Sequence, residues 1–156
     1  MSRQAKIAGA DLVMVMSPYY WKPSIRSVRD FFLKIIKNTS LPILLYNNIP
    51  ATQVDMPLEL LSELAEYEKV VGLKECTPNF VKFERVYKRL HEKIVVINGN
   101  GEFWEPYAAL LGCKGFVSGL ANFAPKTSIS ILHARNEGNY EKVFKVKLPQ
   151  QELGAS

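Results

Sequence analysis

The stretch Val70 to Lys74 reads VVGLK, a short apolar run that ends in a lysine. A run of this length without polar alternation predicts a strand buried on both faces, as in a parallel sheet. Four similar runs lie at Asp11–Met16, Pro42–Tyr46, Ile94–Asn98 and Gly115–Ser118. Helical periods separate the five runs, so the sequence predicts an α/β fold with a parallel sheet and helices outside it.

The segment from Ser24 to Lys37 shows the helical period most clearly, with Ser24 as the predicted N-cap. Its apolar stripe recurs at every third or fourth position and comprises Val28, Phe31, Phe32, Ile35 and Ile36. Further helices are predicted after a cap at Thr77 and across residues 125–147, with a break at Gly138.

Chain length limits the architecture. Periodicity alone does not distinguish an open doubly wound sheet from an arc of a (β/α)8 barrel. A closed barrel needs ~250 residues, and this chain has 156, so any barrel is incomplete. We predict one domain of about five β/α units over residues 1–147 and a frayed tail over residues 148–156.

Composition favours an ordinary globular protein of the reducing cytoplasm. Hydrophobic residues make up 47% of the chain, enough for a core. The net charge is +5, but the lysines and arginines are scattered along predicted helices and form no basic run with interleaved aromatics, which argues against nucleic-acid binding. No run approaches the ~20 apolar residues of a membrane span, and no secretory leader is recognisable. The two cysteines, Cys76 and Cys113, lack metal-ligand spacing.

Functional groups of parallel α/β folds gather at the carboxyl ends of strands, which here end in Tyr46 and Lys74. A lysine at the end of an apolar run is partly desolvated, which favours the free amine that attacks a carbonyl and forms an iminium. Tyr46 would then transfer protons. The simpler alternatives are a lysine that reaches solvent and an aromatic plug. Tyr20 extends the proton path or, with Tyr19 and Trp21, forms a subunit contact.

Other site types have weak support in the sequence. His91 and His133 fall on predicted helices, so we expect no metal, and no cofactor-binding fingerprint is recognisable. The turn from Gly99 to Gly101 is a weak candidate for anion binding by an open-sheet protein.

Five strings resemble the dihydrodipicolinate synthase and N-acetylneuraminate lyase family, in the same order and with similar spacing. They are SPYYWKP (Ser17–Pro23), LPILLYN (Leu41–Asn47), VVGLKE (Val70–Glu75), INGNGE (Ile97–Glu102) and GFVSGLANFAP (Gly115–Pro125). The resemblance covers nearly the whole chain. It implies strands four to eight of a (β/α)8 barrel and a class I aldolase that needs no cofactor.

The resemblance also implies roles for individual residues. Lys74 matches the Schiff-base lysine, Tyr46 the catalytic tyrosine, and Tyr20 a tyrosine that family members lend to a neighbouring subunit. Gly99 and Val117 match positions that line the pocket for the 2-oxo acid. The implied reaction is an aldol-type lyase step on pyruvate or a related 2-oxo acid.

Two departures from the family pattern shape the expected function. Ala51 stands where synthases that use aspartate semialdehyde carry an arginine, and Gln53 replaces a glycine shortly after it. The alanine favours sugar-acid or hydroxy-oxo-acid aldolases over dihydrodipicolinate synthesis, and the glutamine bears on the conformation of the loop. The family's Gly-Thr-Thr-Gly-Glu motif, which binds the substrate carboxylate, has no counterpart in this sequence.

Unpaired apolar strands at both edges of such a fragment invite pairing with another chain. We therefore expect a homo-oligomer or a separate partner half-barrel. The alternative to catalysis is an interaction module that pairs with a full-length relative, and activity of the isolated chain is left open.

Overall fold

The computed structural model describes residues 2–153, with side chains described up to residue 146. The helices are α1 (Ser2–Ile7), α2 (Ile25–Asn38), α3 (Ile49–Thr52), α4 (Leu58–Leu64), α5 (Phe80–Leu90), α6 (Glu105–Leu110), α7 (Pro125–Asn136) and α8 (Tyr140–Leu153). The strands are β1 (Val13–Met16), β2 (Ile43–Asn47), β3 (Val70–Glu75) and β4 (Val95–Asn98), and two 3-10 turns lie at Gly101–Phe103 and Leu120–Asn122.

The chain forms two compact units, one up to Val96 and one from Ile97 onward, and each is described by itself. The division falls inside β4, where composition gave no sign of a boundary. None of the helices between residues 2 and 153 combines the length and apolar character that a membrane crossing requires.

The sheet has the strand order β1-β2-β3-β4, and both β1 and β3 pair with β2 in parallel. One irregularity sets the register. Ile43 pairs with Val70, but the next residue of β2, Leu44, pairs with Gly72, so Val71 is an extra residue in β3. This bulge brings Tyr46 opposite Lys74.

The two faces of the sheet differ in character because side chains alternate along a strand. In β2, Ile43, Leu45 and Asn47 are buried, whereas Leu44 and Tyr46 are half-buried. The fully buried side chains of the first unit include Phe32 of α2, Leu61 and Leu64 of α4, Phe83 of α5, Leu45 of β2 and Leu73 of β3. These side chains form the core that fixes the strands, and the opposite face carries Tyr46 and Lys74.

Several sequence predictions are confirmed at the level of single residues. Ser24 caps α2, and its hydroxyl accepts a hydrogen bond from the backbone amide of Ser27 at 3.1 Å. Val28, Phe32 and Ile36 of the predicted stripe are buried. The last helical stretch breaks at Gly138, which takes a φ of +71°.

Other predictions are wrong in part. Residues 115–118 form no strand but a single parallel bridge from Phe116 to Asn98, the last residue of β4. The sheet in the described residues therefore has four strands instead of five. Strand β1 is not buried on both faces, since Met14 is 52% exposed on an edge strand.

Two helix ends also differ from expectation. Asn79, not Thr77, caps α5, because its side-chain oxygen accepts from the amide of Lys82 at 3.1 Å. Helix α8 continues to Leu153, beyond the predicted helix end at Lys147 and into the tail predicted over residues 148–156, and residues 154–156 lie outside the described range. Gln53 ends α3 with a φ of +55°, the left-handed conformation that glycine adopts most easily.

Gly72 leaves no room for a side chain. A Cβ at this position would meet Leu44 Cδ1 and the carbonyl oxygen of Val95, each at 2.9 Å. We expect Gly72→Ala to lower the free energy of unfolding by about 1–3 kcal/mol, the usual cost of overpacking, as measured by urea denaturation. Gly119→Ala is the matched control, because Gly119 has a φ of −78° and no atom within 4 Å of the added carbon. Equal effects of the two changes would contradict the tight contact.

Candidate active site

Lys74 and Tyr46 come together at the carboxyl ends of β3 and β2. They are direct partners in the parallel ladder, and the two side chains therefore leave the sheet on the same face. The Lys74 ammonium nitrogen lies over the Tyr46 ring, 4.0 Å from its centroid. Only 9% of Lys74 is exposed. A cation held on an aromatic face in a desolvated site gains about 1–2 kcal/mol, so the ring fixes where the lysine ends.

The Tyr46 hydroxyl has one acceptor position occupied. Asn48 donates from its side-chain nitrogen to Tyr46 Oη at 2.8 Å. Since the Asn48 contact uses an oxygen lone pair, the phenolic proton of Tyr46 can still donate, and the hydrogen bond with Cys76 is one such contact. Asn48 thus orients a hydroxyl that can supply a proton.

Cys76 lies two residues beyond Lys74, just after the end of β3. Burial raises the pKa of its thiol, while the positive charge of Lys74 and a hydrogen bond with Tyr46 act in the opposite direction. The thiol is therefore a third polar group beside the lysine and the tyrosine. The sequence analysis missed it, although the i, i+2 spacing from Lys74 was a usable signal.

Behind the reactive face, Asn47 and Glu75 are neighbours in the ladder, and both are fully buried. Asn47 Nδ2 donates to the two carboxylate oxygens of Glu75 at 2.9 and 3.0 Å. The backbone amide of Thr77 donates to Glu75 Oε1 at 2.8 Å. Burial raises the pKa of Glu75 to about 7, against the hydrogen bonds from Asn47 and from backbone amides, which lower it.

Tyr20 lies on the segment that follows β1 and is 80% exposed. Its ring meets the Trp21 ring edge to face, with centroids 5.0 Å apart. Tyr19 and Trp21 are also largely exposed. A role for Tyr20 in proton transfer or in a subunit contact stays a prediction.

Gly99 and Val117 belong to the second unit, where they lie near each other. The amide of Val117 donates to the carbonyl oxygen of Asn98 at 2.9 Å, and Gly99 directly follows Asn98 in the chain. Val117 is 42% exposed. The bridge thus holds these two pocket candidates together within their own unit.

Two buried carboxylates of the second unit escaped the sequence analysis. Glu105 lies 2.6 Å from Arg135 Nε and accepts from Asn98 Nδ2 at 3.2 Å. The Glu105–Arg135 contact is an ion pair without hydrogen-bond alignment. Burial raises the pKa of Glu105 to about 6, opposed by Asn98 and by the charge of Arg135. Glu102 accepts from Ser118, and from Ser128 at 2.7 Å.

Within the described residues, no three side chains of His, Cys, Asp or Glu cluster in a way that could hold a metal ion. Cys76 and Cys113 are both free and buried.

The model of the dihydrodipicolinate synthetase family matches residues 1–154. The 4-hydroxy-tetrahydrodipicolinate synthase of Methanosarcina barkeri is 34% identical over 146 residues, 93% of this chain and 50% of that protein. The corresponding synthase of Methanocaldococcus jannaschii is 36% identical over 144 residues, 91% of this chain and 48% of that protein. The chain thus spans about half the length of the curated relatives it matches.

Solved structures of the same family are also similar to this chain over about half of their length. The crystal structure of dihydrodipicolinate synthase from Aquifex aeolicus superposes with a TM-score of 0.88 at 30% identity, over 97% of this chain and 52% of that one. YagE, a prophage protein of the same family from E. coli K12 in complex with pyruvate, gives a TM-score of 0.85 at 28% identity, over 96% and 53% of the two chains. The predicted fold class, an incomplete (β/α)8 barrel, is confirmed.

The names of these relatives conflict with one expectation. The loop with Ala51 favoured sugar-acid or hydroxy-oxo-acid aldolases, whereas the two curated relatives from Methanosarcina and Methanocaldococcus are synthases. By its match over residues 1–154, this chain belongs to the dihydrodipicolinate synthetase family.

Proposed function

We propose that this chain supplies the Schiff-base half of a class I lyase or aldolase that acts on pyruvate or a related 2-oxo acid. The observation that carries the proposal is the contact of Lys74 with Tyr46, in which a nearly buried amine lies over a phenol ring at two adjacent strand ends. YagE, a structural relative, was solved with pyruvate bound.

The chemistry follows from these two groups. The neutral amine of Lys74 attacks the ketone carbon of the 2-oxo acid, and the carbonyl oxygen takes up a proton to give a carbinolamine. Loss of that hydroxyl as water leaves an iminium, which draws electrons from the adjacent carbon and allows a carbon–carbon bond to form or break there. The Tyr46 hydroxyl, oriented by Asn48, is suited to deliver and remove the protons.

Other parts of the proposal rest on the resemblance to the family. Gly99 and Val117 would line the 2-oxo acid pocket, and Tyr20 would act in the proton path of a neighbouring subunit. The group that binds the substrate carboxylate would come from a polypeptide segment other than these 156 residues. We place the reaction in the cytoplasm, where free cysteines such as Cys76 and Cys113 remain reduced.

Borohydride reduction in the presence of pyruvate tests the proposal directly. We expect an adduct of one pyruvate, less one water and plus two hydrogens, confined to the peptide that contains Lys74. Lys74→Ala should abolish the adduct, whereas Lys114→Ala, which removes an exposed lysine, should keep it. Intact and peptide mass spectrometry measure both. A folded wild-type chain without an adduct would sink the claim that this chain forms the iminium by itself.

Tyr46→Phe removes the hydroxyl of Tyr46 and keeps its ring, so it tests the role of the hydroxyl alone. The ring face under Lys74 is kept, so the lysine stays in position, but the proton donor is lost. General acid catalysis contributes on the order of 100-fold or more, and we expect the initial trapping rate to fall by about that factor. Tyr67→Phe removes an exposed phenol and should leave the rate unchanged. A Tyr46→Phe rate equal to wild type would exclude the hydroxyl from the reaction.

A second candidate function is an interaction module that pairs with another chain through β1. This strand is the edge of the sheet, and Met14 on it is 52% exposed. An edge strand with exposed apolar side chains is a template for strand addition. This function and the first are compatible if association completes the site.

We expect the chain to associate, and Met14→Lys to weaken that association because a charge on an edge strand opposes pairing. Sedimentation velocity measures the shift toward monomer. Val81→Lys places the same charge on an exposed position of α5 and should leave association intact. A wild-type chain that stays monomeric, or equal effects of both changes, would rule out β1 as the contact.

A further inference from the structure

Asn47 and Glu75 have no part in the chemistry proposed above, although each directly follows a candidate catalytic residue in the chain. We propose that they form a positioning pair, which holds the ends of β2 and β3 so that Tyr46 and Lys74 keep the arrangement needed for iminium formation. This inference rests on the proposed function and extends it to the buried side of the same strands.

The pair ties together the two strand ends. Asn47 Nδ2 donates to both oxygens of Glu75 across the ladder. The backbone adds a parallel link, because the Cys76 amide donates to the carbonyl oxygen of Asn47 at 2.9 Å. Alternation along each strand then fixes where Tyr46 and Lys74 point on the other face.

The same two side chains also hold the segments that leave the strands. Asn47 Oδ1 accepts from the amide of Met56 at 3.3 Å, which anchors the far end of the loop after β2. Glu75 Oε1 accepts from the amide of Thr77 at 2.8 Å, which fixes the turn after β3. One buried pair therefore restrains both connections that flank the reactive face.

The set of donors suits an ionised carboxylate. Asn47 Nδ2 and the Thr77 amide can only donate, and together they occupy both oxygens of Glu75. A protonated Glu75 would place its own O–H against one of these donors and lose a hydrogen bond. The pair is thus complete when Glu75 is ionised and weaker when Glu75 is neutral.

Glu75 ionises close to neutral pH, because burial raises its pKa from 4.5 to about 7. The titratable groups around the pair are Tyr46 on β2, Lys74 and Cys76 on either side of Glu75, Asp55 in the loop after β2 and Lys82 on α5. Lys82 pairs with Asp55 and donates to the carbonyl oxygen of Met56. The shift of the Glu75 pKa comes from burial, opposed by the hydrogen bonds from Asn47, Thr77 and the Cys76 backbone, and the charge of Glu75 in turn raises the pKa of the Cys76 thiol.

The sign of the stability effect follows from the raised pKa. Glu75 contributes most to folding below its ordinary value near 4.5, and that contribution is lost as the pH rises through about 7. Stability and positioning therefore change in opposite directions across this range. A trapping rate that increases through pH 7 while thermal stability decreases is the signature of the pair.

The first measurement is a proton–nitrogen NMR titration of the wild-type chain between pH 5 and pH 9. We expect the Thr77 amide to shift with a midpoint near pH 7, because it donates to Glu75 directly. Glu75→Gln should remove that shift. The control Glu68→Gln changes an exposed carboxylate and should preserve it. A Thr77 amide that does not titrate in the wild type would overturn the inference without any variant.

The second measurement is the reactivity of Lys74 in the same three proteins, by pyruvate trapping and by labelling with acetic anhydride, each as a function of pH. A misplacement of ~1 Å can cost on the order of 100-fold in rate, and we expect Glu75→Gln to slow trapping at pH 8 by about ten-fold or more. The step in trapping rate near pH 7 should vanish with it. Trapping and labelling profiles of Glu75→Gln equal to those of Glu68→Gln would refute the positioning pair.

Labelling separates this inference from the proposed function. If pyruvate leaves no adduct on the wild type but Glu75→Gln alters the labelling profile of Lys74, iminium formation is refuted and the positioning of Lys74 by the pair stands. If pyruvate traps on all three proteins at equal rates, the proposed function stands and the pair has no positioning role.

Discussion

The register of β3 against β2 is the constraint on which the candidate site depends. The bulge inserts Val71, and every pair beyond it is shifted by one residue. Without the insertion, Tyr46 would stand opposite Leu73, and Lys74 would leave the sheet on the buried side together with Asn47. One extra residue therefore decides whether the amine meets a phenol ring or the hydrophobic core. Glycine is required at position 72 next to the bulge, because the backbone there approaches Leu44 and Val95 too closely for any side chain.

Much of the first unit could be predicted from its sequence. Apolar runs located β2 and β3, and the rule that parallel strands present functional groups at their carboxyl ends selected Tyr46 and Lys74. The register itself was hidden, because a bulge depends on the packing of two strands and not on the composition of one. An isolated glycine within a strand pattern is the one local signal of such a bulge. Burial of β1 was overestimated for a similar reason, because an apolar run does not reveal whether other elements pack against it.

The second unit shows more clearly which structural features a sequence pattern does not predict. Residues 115–118 have the composition of a strand but form one bridge, because pairing needs a partner as well as a propensity. The ion pair of Glu105 with Arg135 joins α6 to α7 across a long stretch of chain, and neither residue stands out in the sequence. Contacts of this kind follow from tertiary packing, whereas the cap at Ser24 and the break at Gly138 follow from local chemistry and were predicted.

The alternation of side chains in β2 and β3 has an evolutionary consequence. Under the proposed function, Tyr46 and Lys74 contact the substrate, whereas their immediate neighbours Asn47 and Glu75 are buried and hold the strand ends together. During evolution, residues that point to one face of the sheet could be exchanged to give a new reaction, while the alternate residues on the other face stay unchanged. Selection on adjacent codons would then differ in kind, so sequence variation along these strands should itself carry a period of two.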